Sequence, residues 1–415
     1  MGLGSIMGTG IFVSIGIAAG VCGPSVVLAV FLAAFVATFN GLSSAQLAAS
    51  HPVSGGTYEY GYKYLNPAMG FTAGWMFLCA KSASAATAAL GFAGYVLTAL
   101  GVENPFARVL FGLGIIAVLT IIVAGGMRSS NRTNAIIVSF TLLVLAVFVV
   151  VGAPTVFANG TSQFVPFLPV GESGTRALLH GTALMFVAYT GYGRIATLGE
   201  EVRDPARSIP RAIITTLIVT MVLYVTVTAV AVGVVGAGPL AEATRSAAAP
   251  LEVVAQSFTV PGIDWLVALA AITAMTGVLL NLLLGLSRVM LAMGRRRDLP
   301  TALASVDERT QSPRVAVIVT GVLIAGLVLI GNVETTWSFS AFTVLVYYAL
   351  TNLAALRLPE EHRRFPRIIS VLGLFSCLGL AFWVEPVFWI VGLGLIGLGL
   401  LWHFLAGAAG GKTTH

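Results

Sequence analysis

This sequence predicts an all-helical protein that crosses a membrane many times, and three observations carry that prediction. Of its 415 residues, 57% are hydrophobic and only 9% charged, far from the balance of a soluble domain. The apolar residues gather into runs close to the roughly 20 residues needed to cross the hydrocarbon layer. The basic residues fall in the short gaps between those runs. Lipid offers no hydrogen bonds, so a spanning segment must satisfy its own backbone, which makes these runs helices.

Twelve such runs follow in order: 2–20, 25–49, 69–100, 107–125, 134–153, 176–198, 210–236, 263–293, 314–331, 335–356, 367–384 and 387–407. The first has no basic leader, and its Gly and Thr pattern is unlike a signal peptide, so it is read as a retained span. If the N-terminus is cytoplasmic, the gaps after even-numbered runs lie inside. Those gaps hold Lys63, Arg128, Arg132, Arg203, Arg207, Arg211, Arg295, Arg296, Arg297, Arg309, Arg314, Arg357, Arg363, Arg364 and Arg367. The opposite gaps hold only Arg108, Arg176 and Arg245. Such a bias puts both termini in the cytoplasm of an integral, multi-pass protein of the cell membrane.

The first run, MGLGSIMGTGIFVSIGIAAG, carries six glycines, each costing about 1 kcal/mol in a helix relative to Ala. The sixth, GTALMFVAYTGYGRIATLGEE, repeats the oddity at Gly191 and Gly193, with Thr190 beside them. The two lie five runs apart, an odd offset, so the pattern predicts two inverted repeats, 1–153 and 176–356, with 367–407 peripheral. Paired interruptions of this kind point to a binding site near the bilayer midplane. A broken helix offers free N–H groups and a positive dipole end to a carboxylate, and free carbonyls to an ammonium. A zwitterionic amino acid satisfies both. The competing reading is close helix packing through small residues such as Gly4 and Gly8.

GSIMGTGIF (4–12), FVAYTGYGRIATLGEEVRDPARSIPRAI (186–213) and SRVMLAMGRRRDLP (287–300) resemble the signature segments of the amino acid–polyamine–organocation permease superfamily. The resemblance spans nearly the whole chain and implies a leucine-transporter-like core with broken first and sixth spans. Carried over, it puts the carboxylate at Gly8, Thr9 and Gly10, and the amino group at the carbonyls of Ile6, Val187 and Thr190. Tyr189 then lies beside the substrate, and Phe186 stands in for an aromatic that many relatives carry near Val187. Aligned on the GFAGY end of the third run, Lys81 and Ala85 face the substrate.

Lys81 lies too deep to snorkel, so an intramembrane function is its default reading. It is a candidate proton carrier, or a strut bonded to freed carbonyls. Arg194 is permanently charged and either braces Glu201 or binds an anion. The core spans hold no Asp or Glu, since Glu103, Glu172, Glu242, Glu252, Asp264, Glu334 and Glu385 all fall at or near outer ends. A cationic substrate would need a buried carboxylate or aromatic cage, so small neutral amino acids lead and acidic ones follow. For coupling, the resemblance puts Asn281 near the ion-binding spot of sodium-driven relatives, while the fifth run lacks the lysine of some proton-driven ones. Proton coupling through Lys81 and uncoupled exchange both stay open.

The Tyr-rich segment HPVSGGTYEYGYKYLNPAMG resembles a loop that helps close the inner gate in relatives, and equally suits an interfacial aromatic belt. The arginines at 295–297 and 363–364 suit anionic lipid, so no nucleic-acid partner is implied. Three scattered cysteines indicate neither disulfide nor metal, no cofactor motif occurs, and isolated histidines argue against an enzyme. Relatives carry about four helical turns before the first break where this chain has only MGL, so a start further upstream is expected. The rival to a permease is a non-transporting sensor or subunit that keeps a binding pocket.

Overall fold

The computed structural model describes residues 2–53, 55–126, 131–169, 173–196 and 205–409. All regular structure among them is helical, and each of the twelve apolar runs coincides with helix. The first run forms α1 (Gly2–Ile6), α2 (Thr9–Phe12) and α3 (Ser14–Cys22). The second forms α4 (Val26–Ser50), followed by the short loop helix α5 (Thr57–Tyr64). Then come α6 (Pro67–Ala99), α7 (Pro105–Ala124) and α8 (Asn131–Asn159). The sixth run forms α9 (Ser173–Tyr189), one 3₁₀ turn over Thr190–Tyr192, and α10 (Gly193–Ala196). The seventh forms α11 (Pro205–Val235). Two short helices, α12 (Ala237–Ala247) and α13 (Pro250–Gln256), fill what the sequence presents only as a connection. The remaining spans are α14 (Ile263–Arg295), α15 (Arg314–Val328), α16 (Val333–Leu356), α17 (Arg367–Ala381) and α18 (Pro386–Ala409).

Eight stretches among the described residues are long and apolar enough to cross a membrane by themselves. The apolar helices α15 and α17 have 15 residues each, about 22 Å at 1.5 Å per residue, short of the roughly 30 Å hydrocarbon layer. Three span starts are set by asparagine caps. Asn66, Asn104 and Asn332 accept from Met69 N, Phe106 N and Thr335 N at 2.9, 2.9 and 3.0 Å, each such cap contributing about 1 kcal/mol. Pro67 and Pro105 follow two of them, where a missing N–H costs nothing.

The inner bundle packs α6 along α14 and α16, and α4 along α9 and α11, with α3 held between α9 and α12. Large apolar side chains such as Ile121, Val150, Phe375 and Leu401 remain exposed on outer helices, as a lipid-facing surface requires. The glycine-rich first run is interrupted twice, before Thr9 and at Val13, whose φ and ψ of −127° and −48° separate α2 from α3. The sixth run differs from expectation: its interruption is one tightened turn with Tyr189 and Gly193 both in the α region, not an unwound stretch.

Candidate functional site

Residues 7 and 8 lie outside helix, and Gly8 has an extended φ of −171°. The chain then restarts at Thr9, where Ile11 N and Phe12 N bond the Gly8 carbonyl at 3.1 and 3.0 Å and the N–H groups of Thr9 and Gly10 have no preceding turn to accept from them. Gly191 crosses the first run so closely that a Cβ there would strike the Ser5 carbonyl oxygen, and one on Gly10 would lie 2.9 Å from the Ala188 Cβ. Glycine therefore lets the two interrupted runs touch. The packing reading also holds in part, since a Cβ on Gly8 would sit 2.6 Å from Val278 Cγ2 of α14.

Beside this crossing lies a cavity of about 610 Å³. Its walls bring together Ile6, Thr9 and Gly10 from the first run, Val187, Thr190 and Arg194 from the sixth, Lys81 from α6 and Asn281 from α14. It continues along α14 to Arg288, Arg295 and Arg296, with Gly55 and Glu59 opposite. Asn281 to Arg295 is about 21 Å of helix, so the cavity reaches from mid-bundle to the basic end. Glu59 is its sole carboxylate among the described residues, and it is ion-paired with Arg296.

Thr9 is 4% exposed, and its hydroxyl has no hydrogen-bond partner. Buried polar groups are normally paired, so this hydroxyl keeps both its donor and its acceptors unused. By contrast, the Thr190 hydroxyl is fully engaged, accepting from Lys81 Nζ at 2.8 Å and donating to Val187 O at 2.7 Å. Lys81 thus bonds a hydroxyl of the tightened turn rather than a freed carbonyl, and this uses one of its three donors. Tyr348 OH donates to Thr190 O at 3.2 Å.

Other predicted residues stand elsewhere. Gly8, Ala85, Phe186 and Tyr189 do not line the cavity. Ala85 is fully buried in the bundle. Phe186 lies behind the wall, edge-on to Tyr348 at 5.5 Å. Tyr189 turns away, donating to Val30 O at 3.2 Å. The aromatic wall comes instead from Phe77, Trp337, Tyr347 and Tyr348. Three of these lie on α16, whose apolar run 335–356 has no glycine break or charge to draw notice. The Ile6 carbonyl is already occupied, accepting from Tyr224 OH at 2.7 Å. A lone tyrosine in the aliphatic seventh run was the available signal for that contact.

Arg194 reaches toward α14, where a Cβ on Gly285 would lie 3.4 Å from its Nη1. Its expected partner Glu201 lies outside the described residues, as does the stretch 197–204 of the signature segment. At the basic end, Asp298 is fully buried and accepts from Tyr58 and Tyr62 at 2.7 and 2.6 Å. His403 of α18 lies 3.3 Å from it. Arg296 stacks on the Tyr62 ring at 4.3 Å, and Arg363 donates to Leu358 O at 2.7 Å. Two arginines of the basic clusters are therefore turned to protein. Burial raises the Glu59 carboxyl above its ordinary 4.5, and Arg296 partly offsets this.

The described residues contain no group of His, Cys, Asp and Glu arranged to hold a metal.

The family described as amino acid permease matches residues 1–413. An uncharacterized transporter of Mycobacterium tuberculosis is 39% identical over 405 residues, covering 96% of this chain and 88% of the relative. The branched-chain amino acid permease BcaP of Bacillus subtilis is 31% identical over 426 residues, covering 96% and 89%. The methylthioribose transporter of the same organism is 27% identical over 429 residues, covering 98% and 91%. With two interrupted helices crossing beside a cavity and a family match along nearly its whole length, the chain belongs to the amino acid permease family of integral membrane transporters.

Proposed function

We infer that this chain carries small neutral amino acids across the cell membrane by alternating access, through inverted repeats 1–153 and 176–356 around a central site, with 367–407 peripheral. The basic-loop rule makes both termini cytoplasmic, so the cavity opens inward. The observation that carries the reading is the buried, unpartnered Thr9 hydroxyl on the wall of the cavity. It and the adjacent N–H groups suit a carboxylate. Ile6, Val187, Val278 and Trp337 suit a small apolar side chain, in keeping with the substrate that the name of BcaP gives. The Ile6 carbonyl receives the ammonium once Tyr224 yields it.

A second reading, an acidic substrate, draws support from Lys81 and Arg194 on the same wall. Lys81 is the candidate for a coupled proton, with uncoupled exchange as the other mode, and the remaining basic-loop arginines meet anionic lipid. Uptake of labelled leucine, alanine and glutamate into proteoliposomes, with and without a pH gradient, tests the whole reading. Neutral substrates should accumulate and glutamate should not. Binding of amino acids without any uptake would favour the sensor instead.

A further inference from the structure

The sequence puts Glu252 at an outer end, yet it is only 2% exposed, and its Oε2 is buried without a hydrogen-bond partner. It stands in α13, which with α12 forms a lid over the end of the bundle away from the basic cavity mouth. The lid rests directly on the broken first run and on α6. Gly16 faces Thr244 across one contact and Gly94 faces Ala247 across another. Tyr95 of α6 joins the two layers, donating to Phe12 O at 2.7 Å beside the second interruption and accepting from Leu251 N at 3.3 Å. Through Tyr95 the lid that buries Glu252 is joined directly to the bend at Val13.

The ionisable groups around Glu252 do not neutralise it. From α14 comes Asp264, another carboxyl, and from α6 comes Tyr95. On α12, Glu242 is exposed and Arg245 pairs with Glu334 of α16 at 3.0 Å. Arg108 of α7 donates to Ser246 O at 2.9 Å and is held among lid carbonyls. The one ionisable side chain of α11 in this region, Tyr224, bonds Ile6 O. Among the described residues Glu252 has no ion pair. A buried carboxylate without a cation is costly, and it escapes that cost by binding a proton.

We propose that Glu252 is a proton-binding site of the outer lid, taking one proton from external water each time the lid closes and returning it each time the lid opens. The proposal rests on the alternating-access reading above. Burial, and then Asp264, push the closed-state carboxyl up to about 8 from an ordinary 4.5. The sign follows from which state holds the proton. Below 4.5 both states are protonated, so pH has no effect. Between 4.5 and about 8 only the closed state is protonated, so each unit of alkalinity favours opening about tenfold. Above that range both are ionised and the preference is constant.

Two measurements test this. In the wild-type protein, a hydrophobic carbodiimide, which adds to protonated carboxyl groups in apolar surroundings, should label Glu252 but not the exposed Glu103 and Glu385. The labelling should fade as pH rises past about 8. No label on Glu252 below that pH would overturn the proposal. In the second, Thr244→Cys, in a background with Cys22, Cys79 and Cys377 replaced by Ala, reports lid opening to an impermeant maleimide added outside. Its labelling rate divided by that of the same protein carrying Glu252→Gln cancels the thiol's own titration. This ratio should rise about tenfold per pH unit within the window. A flat ratio overturns the proposal and leaves alternating access standing. No labelling at any pH means that the lid does not open, and then both fall.

Discussion

Thr9→Val removes a single hydroxyl from the cavity wall and little else. Thr9 Oγ1 bonds no protein group, so its loss leaves no buried partner orphaned. Valine keeps the branched shape, and the backbone bond from Val13 N to Thr9 O at 3.0 Å is untouched. The folded protein should keep its stability to within about 0.5 kcal/mol. Binding is a different matter, because a hydrogen bond to a charged acceptor is worth about 1.5–3 kcal/mol. At about 1.4 kcal/mol per factor of ten, affinity should fall roughly ten- to a hundredfold. The carboxylate is common to all amino acids, so the loss should be uniform across leucine, alanine and glycine. Equilibrium binding of labelled amino acids to purified protein, with thermal unfolding as the control for folding, measures both quantities. Unchanged affinity, or a loss confined to one side chain, would refute the carboxylate assignment.

Four other expectations follow. Lys81→Met keeps the stem but removes the donor to Thr190; if Lys81 carries the proton, uptake continues downhill yet ignores an imposed pH gradient, whereas a destabilised protein with a normal gradient response marks a strut. Tyr224→Phe frees the Ile6 carbonyl and should cost about 1–3 kcal/mol of stability in the empty protein, read by chemical unfolding, with a smaller loss when substrate is bound. Gly191→Ala drives a methyl into the Ser5 carbonyl, so overpacking of about 1–3 kcal/mol should lower the thermal midpoint; an unshifted midpoint means that the two runs do not cross as described. Asp298→Asn weakens the acceptor shared by Tyr58 and Tyr62, which should speed proteolysis between residues 51 and 66, and an unchanged cleavage rate would count against α5 being held there.

What the sequence determined by itself is the set of properties written in contiguous residues. Hydrophobic length specified the spans, because partition into lipid depends on a segment's own composition. Glycine clustering marked the break in the first run and the tightened turn in the sixth, and eight of the predicted wall residues, Ile6, Thr9, Gly10, Lys81, Val187, Thr190, Arg194 and Asn281, do line one cavity. The tertiary structure decided which way each helix turns about its axis. That rotation is set by packing against partners hundreds of residues away, so Tyr189 and Phe186 face protein while Tyr348 lines the wall. It also decided what is dry. Glu252 reads as a surface acid in a loop, and only the folding of α12 and α13 onto Tyr95 and the broken first run takes it out of water. Solvation of a side chain belongs to the assembled fold, and a linear pattern carries no record of it.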